Sequence, residues 1–369
     1  MNARGKIKVK EKNYAWINIL KCHLMVMVML IHYIGMAGFW NAQHEGITRI
    51  LGMMINLLLS CCVPVFFIIT GYLDKTYSYE KVLKKILSIV SVYLMYCIPL
   101  LLVYRFKYND QSWSIYRYLT DVLNIDGIIC REGFIRQYII MILFAPLINS
   151  FFDKVTVGAI RKYICGIVFV FGVMRSLEYW FSFTTMFTEP TKYMWSIMCF
   201  CIGNWIRREH WEESKKSFFI STIICIIILL LNVLIFGFCN NMDSGYYFCY
   251  NRLGCILTAV FLFLVFMTFR NVKINGLYDT NMMYSFISKA SLDAFLGAIV
   301  LEYLFYDMNV AGKTFYYKNI GILIFNFIIL CIIGNIRKCI WDRYFKNCKG
   351  LLVLIIVIIT ITSCMIYLF

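Results

Sequence analysis

Charged residues are scarce in this chain, and acidic ones are scarcer than basic ones. Asp, Glu, Lys and Arg make up 15% of the sequence, hydrophobic residues make up 61%, and the mean hydropathy is +0.73. Soluble domains carry roughly 25% charged residues, so this deficit excludes an ordinary soluble globular protein. The composition instead predicts a polytopic helical membrane protein.

Metal and redox motifs are also lacking. None of the sixteen cysteines has the C-x-x-C spacing of zinc or redox sites, and most lie in apolar stretches, where a thiol acts as a small hydrophobic side chain. We therefore expect no metal site. Cys239 and Cys249 share a predicted outer loop, and the sequence leaves their pairing open.

Internal repeats, low-complexity tracts and separate soluble domains are absent too, which disfavours a transporter built from inverted repeats. We expect one integral-membrane domain over residues 1–369, with a basic cytoplasmic tail at 1–14 and the longest outer loop at 105–132. Apolar runs of bilayer length predict an all-α bundle of ten or eleven spans. The runs are 15–37, 50–73, 86–104, 133–152, 163–181, 193–206, 218–238, 253–269, 284–306, 319–336 and 350–369.

Lys and Arg residues are unevenly distributed among the connecting segments. If the N-terminus is cytoplasmic, the inner segments hold more than twice as many of them as the outer ones, as the positive-inside rule requires. Short basic loops of this kind face anionic lipid headgroups, and they lack the contiguous basic face that nucleic-acid binding needs. The sequence thus predicts a multi-pass plasma-membrane protein with membrane lipids as neighbours and no nucleic-acid partner.

Lys21 and His32 lie on one face of the first predicted span. Eleven residues at ~100° each bring a helix back to within ~20° of its starting direction, over a rise of ~16 Å. Ionisable groups are costly inside a bilayer, so this face is expected to border a polar interior. His23 falls on the opposite face. His32 as an interhelical hydrogen-bonding residue and Lys21 as an anchor reaching the interface are the structural alternatives.

Two motifs carry a resemblance to a known family. The first is Asn18-Ile19-Leu20-Lys21 followed by His32, and the second is VPVFFIITGYL at 63–73, which ends the second span. In order and spacing they resemble the acyltransferase-3 family of integral-membrane O-acyltransferases. Weaker matches are FIRQY at 134–138 with Pro146, and CIGNW at 201–205.

The resemblance implies that His32 is the catalytic histidine, that Lys21 is its basic partner, and that acetyl-CoA or another acyl-CoA is the co-substrate, with no permanently bound cofactor. This chain departs from the family pattern at three places. Asn18 replaces a frequent acidic residue, Ala298 stands near the position of a second histidine, and lysines replace the usual arginines after the second span.

The other ionisable residues fall into two groups according to their predicted depth in the membrane. Basic residues near the inner ends of spans are candidates for holding the phosphates of coenzyme A, because cations bind phosphate oxygens strongly. Ionisable residues at the outer ends are candidates for contacting the acceptor. The inner set is Lys21, Lys84, Lys85, Arg207 and Arg208, and the outer set is Arg136, Arg175, Glu178, Arg252 and Glu302.

The function expected from these features is transfer of an acetyl or other acyl group from cytoplasmic acetyl-CoA to a hydroxyl of a cell-surface or exported glycan, or of a lipid-linked saccharide. His32 would act as general base, since imidazole titrates near neutrality. Direct transfer and an acyl-histidine intermediate both remain open. A flippase or exporter of a polysaccharide or lipid-linked intermediate is the alternative function, and a sensor that has lost catalysis is a third.

Overall fold

The computed structural model describes residues 15–37, 46–107, 134–174, 176–177, 188–209, 215–238, 253–271, 278–306, 312–345 and 348–368. These residues are helical or lie in short turns, with no strand among them, so the predicted all-α class is confirmed. The helices are α1 (Ala15–Met36), α2 (Gly46–Ser60), α3 (Cys62–Leu73), α4 (Tyr79–Lys107), α5 (Phe134–Lys154), α6 (Val157–Val168), α7 (Thr188–Arg208), α8 (Lys215–Phe238), α9 (Leu253–Met267), α10 (Tyr278–Lys289), α11 (Ser291–Phe305), α12 (Gly312–Tyr344) and α13 (Cys348–Leu368).

The helices match the predicted apolar runs in order and position. Within the described residues, six spans are long and apolar enough to cross a membrane, and the bent pair of α10 and α11 makes a seventh. Shorter apolar helices occur at Phe218–Asn232, Leu253–Met267 and Gly350–Thr360. The chain is therefore a polytopic membrane bundle. Some helices, such as α4 and α12, extend several residues beyond the predicted runs.

Two of the predicted runs are interrupted in the structure. The run at 50–73 breaks at Cys61, between α2 and α3, three residues before Pro64. Proline lacks an amide hydrogen and clashes with the carbonyl four residues earlier, which here belongs to Ser60, the last residue of α2. The run at 284–306 breaks at Ala290, where α10 and α11 meet at a bend of 58°.

Helices α3 and α7 contact each other through their backbones, and both contact points are glycines. A Cβ on Gly71 would overlap the carbonyl of Phe200, and a Cβ on Gly203 would overlap the carbonyl of Ile68. Small residues permit this approach, and close packing of backbones is a main source of helix association in membranes. Gly71 belongs to the VPVFFIITGYL motif at 63–73, and Gly203 belongs to the CIGNW motif at 201–205. These two motifs therefore share a role in packing α3 against α7.

Helix α1 lies beside the broken pair α10–α11 and runs in the same direction. Near one end, the hydroxyl of Ser288 donates to Asn18 Oδ1 at 3.0 Å. Towards the other end, His32 lies next to Glu302. The residue numbers rise along both partners from one contact to the next, so α1 runs parallel to the α10–α11 pair. The contact between them extends from the depth of Lys21 to the depth of His32.

A buried ion pair secures the start of α11. Arg337 of α12 donates from Nε and Nη2 to the two oxygens of Asp293 at 2.7 and 2.8 Å, and Tyr96 of α4 donates to the same carboxylate at 3.0 Å. Asp293 is fully buried, and Arg337 is 9% exposed. Buried charges of this kind require a partner with good geometry. The pair therefore fixes α11 against α4 and α12.

Candidate active site

His32 and Glu302 form a pair of ionisable side chains between α1 and α11. Nδ1 of His32 lies 3.7 Å from Oε2 of Glu302, with the imidazole 30% exposed and the carboxylate fully buried. Within the described part of the chain, neither oxygen of Glu302 has a hydrogen-bond partner. The distance exceeds that of a hydrogen bond, so the contact is electrostatic in this conformation. A buried carboxylate facing one partly exposed imidazole can orient that ring and stabilise its protonated form.

Aromatic rings enclose the Glu302 end of α11. Tyr306 follows Glu302 by one helical turn, and its ring packs 5.7 Å from Tyr33 and 5.6 Å from Phe315. The hydroxyl of Tyr33 donates to the carbonyl of Tyr316 at 2.7 Å. These rings shield the Glu302 end of α11, in agreement with the full burial of the carboxylate.

His23, the other histidine of α1, has different surroundings. Its Nδ1 lies 2.8 Å from the carbonyl of Ile19, and its ring packs edge-on against Phe266. It faces away from Glu302, in agreement with the helical phase predicted from the sequence.

A cavity of about 330 Å³ lies between α1, α3, α4, α5 and α11. Its polar lining comes from Lys21, Thr70, Asp74, Lys85, Tyr138 and Ser291. The remaining walls are largely aromatic and aliphatic, as expected of a site that holds an organic ligand with a charged end. Neither hydrogen bond nor ion pair joins the Lys21 ammonium to any other described residue, so it is available to a ligand in the cavity.

The turn between α3 and α4 forms one edge of this cavity. Asp74 is 6% exposed, and its carboxylate accepts from the backbone amide of Thr76 and pairs with the Lys85 ammonium. Lys85 also donates to the hydroxyl of Thr76 at 2.7 Å. The side chain of Lys85 remains 41% exposed. Lys85 therefore braces the turn, and one of its three N–H donors remains for a ligand in the cavity.

Arg207 and Arg208 lie behind the same turn, where they contact protein groups. Arg207 donates to the backbone carbonyl of Asp74 at 2.5 Å. Arg208 pairs with Asp153 of α5 at 2.6 Å. Both arginines also donate to the side-chain oxygen of Asn204, at 3.1 and 2.8 Å. Their contacts stabilise the turn at the edge of the cavity.

The predicted site residues other than Arg207 and Arg208 divide into three groups. The structure brings Lys21 and Lys85 to one cavity and His32 and Glu302 to one pair. Lys84 is exposed and does not line the cavity, and Arg136 lies half-buried in the first turn of α5, between two cavity-lining residues. The third group lies outside the described residues and comprises Arg175, Glu178 and Arg252, together with Cys239, Cys249 and most of the 105–132 loop.

Sequence reasoning missed Asp74 and the asparagines that hold its turn. Asn204, from the CIGNW motif, donates to the side chain of Asn149, which donates to the carbonyl of Thr76 at 3.0 Å. Both asparagines are fully buried. A buried amide needs partners, so an asparagine at 149 and another at 204, each within an apolar run, was the available signal.

Comparison with known proteins agrees with these features. The family model described as "Acyltransferase domain", Acyl_transf_3, matches residues 14–367. Neither the curated proteins nor the solved structures give a significant match. The match covers nearly the whole chain and includes His32, Glu302 and every residue that lines the cavity. The protein therefore belongs to the acyltransferase-3 family and is a multi-pass membrane acyltransferase.

Proposed function

We propose that the protein transfers an acetyl group, or another acyl group, from cytoplasmic acetyl-CoA to a hydroxyl of a cell-surface or exported glycan at the plasma membrane. The observation that supports this most is the His32–Glu302 pair, in which a buried carboxylate lies 3.7 Å from a partly exposed imidazole. An imidazole oriented in this way suits general-base catalysis on a hydroxyl near neutral pH.

In the proposed reaction, Glu302 favours the tautomer of His32 that carries its proton on Nδ1, which leaves Nε2 free to accept a proton. Nε2 takes the proton from the acceptor hydroxyl as its oxygen attacks the thioester carbonyl. The new carbon–oxygen bond forms, the carbon–sulfur bond breaks, and the coenzyme A thiolate takes up the proton from His32. Glu302 stabilises the imidazolium between these two steps.

The cavity is the proposed donor site. Lys21 and Lys85 offer ammonium groups to the phosphates of coenzyme A, and the apolar walls accommodate the arm that carries the thioester. Lys21 and His32 lie eleven residues apart on one face of α1, a rise of ~16 Å. An extended coenzyme A arm bridges such a distance, so the phosphates can stay near Lys21 while the thioester approaches His32.

The acceptor is proposed to reach His32 from the outer side, as a glycan or as a lipid-linked saccharide. Arg136 remains a candidate for contacting it, together with Arg175, Glu178 and Arg252 from the part of the chain that the structure leaves undescribed. Glu302 is reassigned within this proposal from an acceptor contact to the partner of His32, because of its position beside the imidazole.

The test compares His32→Ala with His23→Ala in a null strain at matched membrane abundance. His32→Ala should slow acetyl transfer by roughly 10²–10⁴, because positioned proton transfer is lost. The O-acetyl content of surface glycan, measured by NMR, should therefore be almost abolished. His23→Ala should retain acetylation. Full acetylation with His32→Ala contradicts the proposal, and a null strain with normal acetylation but impaired glycan export favours the exporter alternative.

A further inference from the structure

A polar side chain of α12 lies beside Glu302. The ion pair at the start of α11 and the contact of Leu330 with Gly297 show that α11 and α12 run antiparallel. Asn326 precedes Leu330 by one helical turn, so both lie on the face of α12 that packs against α11. Asn326 is therefore directed towards α11 near the depth of Glu302.

Glu302, Tyr306 and Asn326 form a buried polar cluster. Glu302 and Asn326 are fully buried, and Tyr306 is 1% exposed. Within the described ranges, neither carboxylate oxygen, nor the phenol oxygen, nor either polar atom of the amide has a hydrogen-bond partner. The Tyr306 hydroxyl lies beside both the Asn326 amide and the Glu302 carboxylate. Unpartnered polar groups are costly inside a protein, so the three side chains are expected to satisfy one another.

The hydrogen-bonding groups of this cluster are complementary. An ionised carboxylate only accepts, a phenol donates one O–H, and a primary amide donates two N–H groups. Tyr306 and Asn326 thus bring three donors to the two oxygens of Glu302. Tyr33, whose ring packs on that of Tyr306, has its hydroxyl donor engaged by the carbonyl of Tyr316.

Backbone contacts hold Tyr306 at the end of α11. Its amide donates to the carbonyl of Glu302 at 3.0 Å. Lys107 of α4 donates to the carbonyls of Tyr303 and Leu304 at 2.8 and 2.9 Å. The last turn of α11 is therefore fixed against α4, and the Tyr306 hydroxyl stays close to the carboxylate.

We propose that Tyr306 and Asn326 are positioning residues for acyl transfer, which donate to the Glu302 carboxylate, directly or through one bridging water, and keep it ionised beside His32. The inference rests on the proposed function, in which Glu302 stabilises the imidazolium. A buried carboxyl group without donors favours its neutral form, which supplies no counter-charge. Hydrogen bonds to the charged form oppose this preference.

The experiment measures coenzyme A release from acetyl-CoA in inverted membrane vesicles of the producing cells, which supply the acceptor. Tyr306→Phe removes the hydroxyl and keeps the ring, and Asn326→Leu removes the amide at similar volume. Each should lower kcat by about tenfold with little change in the KM for acetyl-CoA, because hydrogen bonds to a charged group contribute on this scale. In the Glu302→Gln background neither should cause a further loss, because both act through the carboxylate.

Tyr33→Phe and Asn319→Leu are the matched controls. Both residues are buried, and each has a donor engaged by a backbone carbonyl: Tyr33 donates to Tyr316, and Asn319, on the same face of α12 as Asn326, donates to Phe315 at 3.1 Å. These substitutions should lower the thermal unfolding midpoint about as much as the test variants and leave kcat nearly unchanged.

Infrared spectra give a readout that a purely structural role would not change. The carbonyl band of a protonated carboxyl group should appear in Tyr306→Phe and Asn326→Leu, disappear when Glu302→Gln is added, and be absent from wild type. Absence of the band from both variants overturns the inference, as does a loss of kcat that persists in the Glu302→Gln background. If His32→Ala releases coenzyme A as fast as wild type, the proposed function itself fails.

Discussion

Glu302 Oε2 lies 3.7 Å from His32 Nδ1, although 270 residues separate the two in the chain. The contact exists because α11 packs parallel to α1, and because Asp293 is held by Arg337 at the start of α11. The only exposed face of this pair belongs to the imidazole, since the carboxylate is fully buried. In the proposed reaction, His32 is therefore the member of the pair that can reach a substrate, and Glu302 would act through it.

Glu302→Gln keeps the size of the side chain and removes its charge. We expect the rate of acetyl transfer to fall by about one to two powers of ten, because the imidazolium loses its counter-charge while the ring remains. The double variant with His32→Ala should be no slower than His32→Ala alone, since the two residues act as one unit. Coenzyme A release in membrane vesicles measures both, and additive losses would show that Glu302 has an independent role.

Lys21→Ala should weaken donor binding. An ammonium that hydrogen-bonds a phosphate contributes enough to change the affinity for acetyl-CoA by about tenfold or more, and Lys21→Arg should retain most of it because the charge persists. Lys84→Ala is the control, since Lys84 is exposed and does not line the cavity. Displacement of labelled acetyl-CoA from purified protein provides the measurement. Equal affinity in wild type and Lys21→Ala would leave Lys21 an interfacial anchor.

Gly203→Ala should destabilise the protein by about 1–3 kcal/mol, because the added methyl group has to displace the backbone of α3. Gly166→Ala should be neutral or stabilising by up to about 1 kcal/mol, because a Cβ at that position meets no atom within 4 Å and alanine favours a helix. Thermal unfolding midpoints in detergent compare the two substitutions. Equal midpoints would mean that the α3–α7 contact is looser than the structure indicates.

Arg337→Met removes one partner of the buried pair and leaves the Asp293 carboxylate without its counter-charge. The cost should be about 3–5 kcal/mol of stability, and adding Asp293→Asn should recover part of it. Arg343→Met, in the exposed last turn of α12, should cost little. Thermal unfolding midpoints in detergent also measure the stability of these variants. A double variant as unstable as Arg337→Met would show that the loss comes from packing.

The predicted orientation can be tested at the turn between α3 and α4. Tyr77 lies there with 49% of its surface exposed. In a cysteine-depleted variant, Tyr77→Cys should resist an impermeant thiol reagent applied to intact cells, whereas a cysteine at Ser112 in the predicted outer loop should react. Reaction of Tyr77→Cys from outside would reverse the orientation and place the proposed donor cavity on the wrong side of the membrane.

Hydropathy sufficed to predict the helical bundle because each span satisfies its own backbone hydrogen bonds, so its position depends on local sequence alone. The breaks at Cys61 and Ala290 were harder to predict from the sequence. Pro64 gives a local cause for the first. The second depends on contacts from a distant helix, because Gly334 of α12 packs directly against Ala290.

The site was partly predictable for similar reasons. Helical periodicity placed Lys21 and His32 on one face, and the predicted depth placed Glu302 among the ionisable residues at the outer ends of spans. The partner of Glu302 could not be predicted, since the pairing depends on how α1 and α11 pack. Basic charge alone also does not distinguish Lys85, which lines the cavity, from Arg207, which binds the carbonyl of Asp74.

The bend at Ala290 also has a consequence for biogenesis. A helix that is broken within the bilayer and carries an aspartate near the break is a poor candidate for independent insertion, because lipid satisfies neither the interrupted backbone nor the charge. Arg337, which neutralises Asp293, is translated more than forty residues later, on α12. We therefore expect α10 and α11 to stay at the translocon until α12 emerges, so that the three helices enter the membrane as one unit.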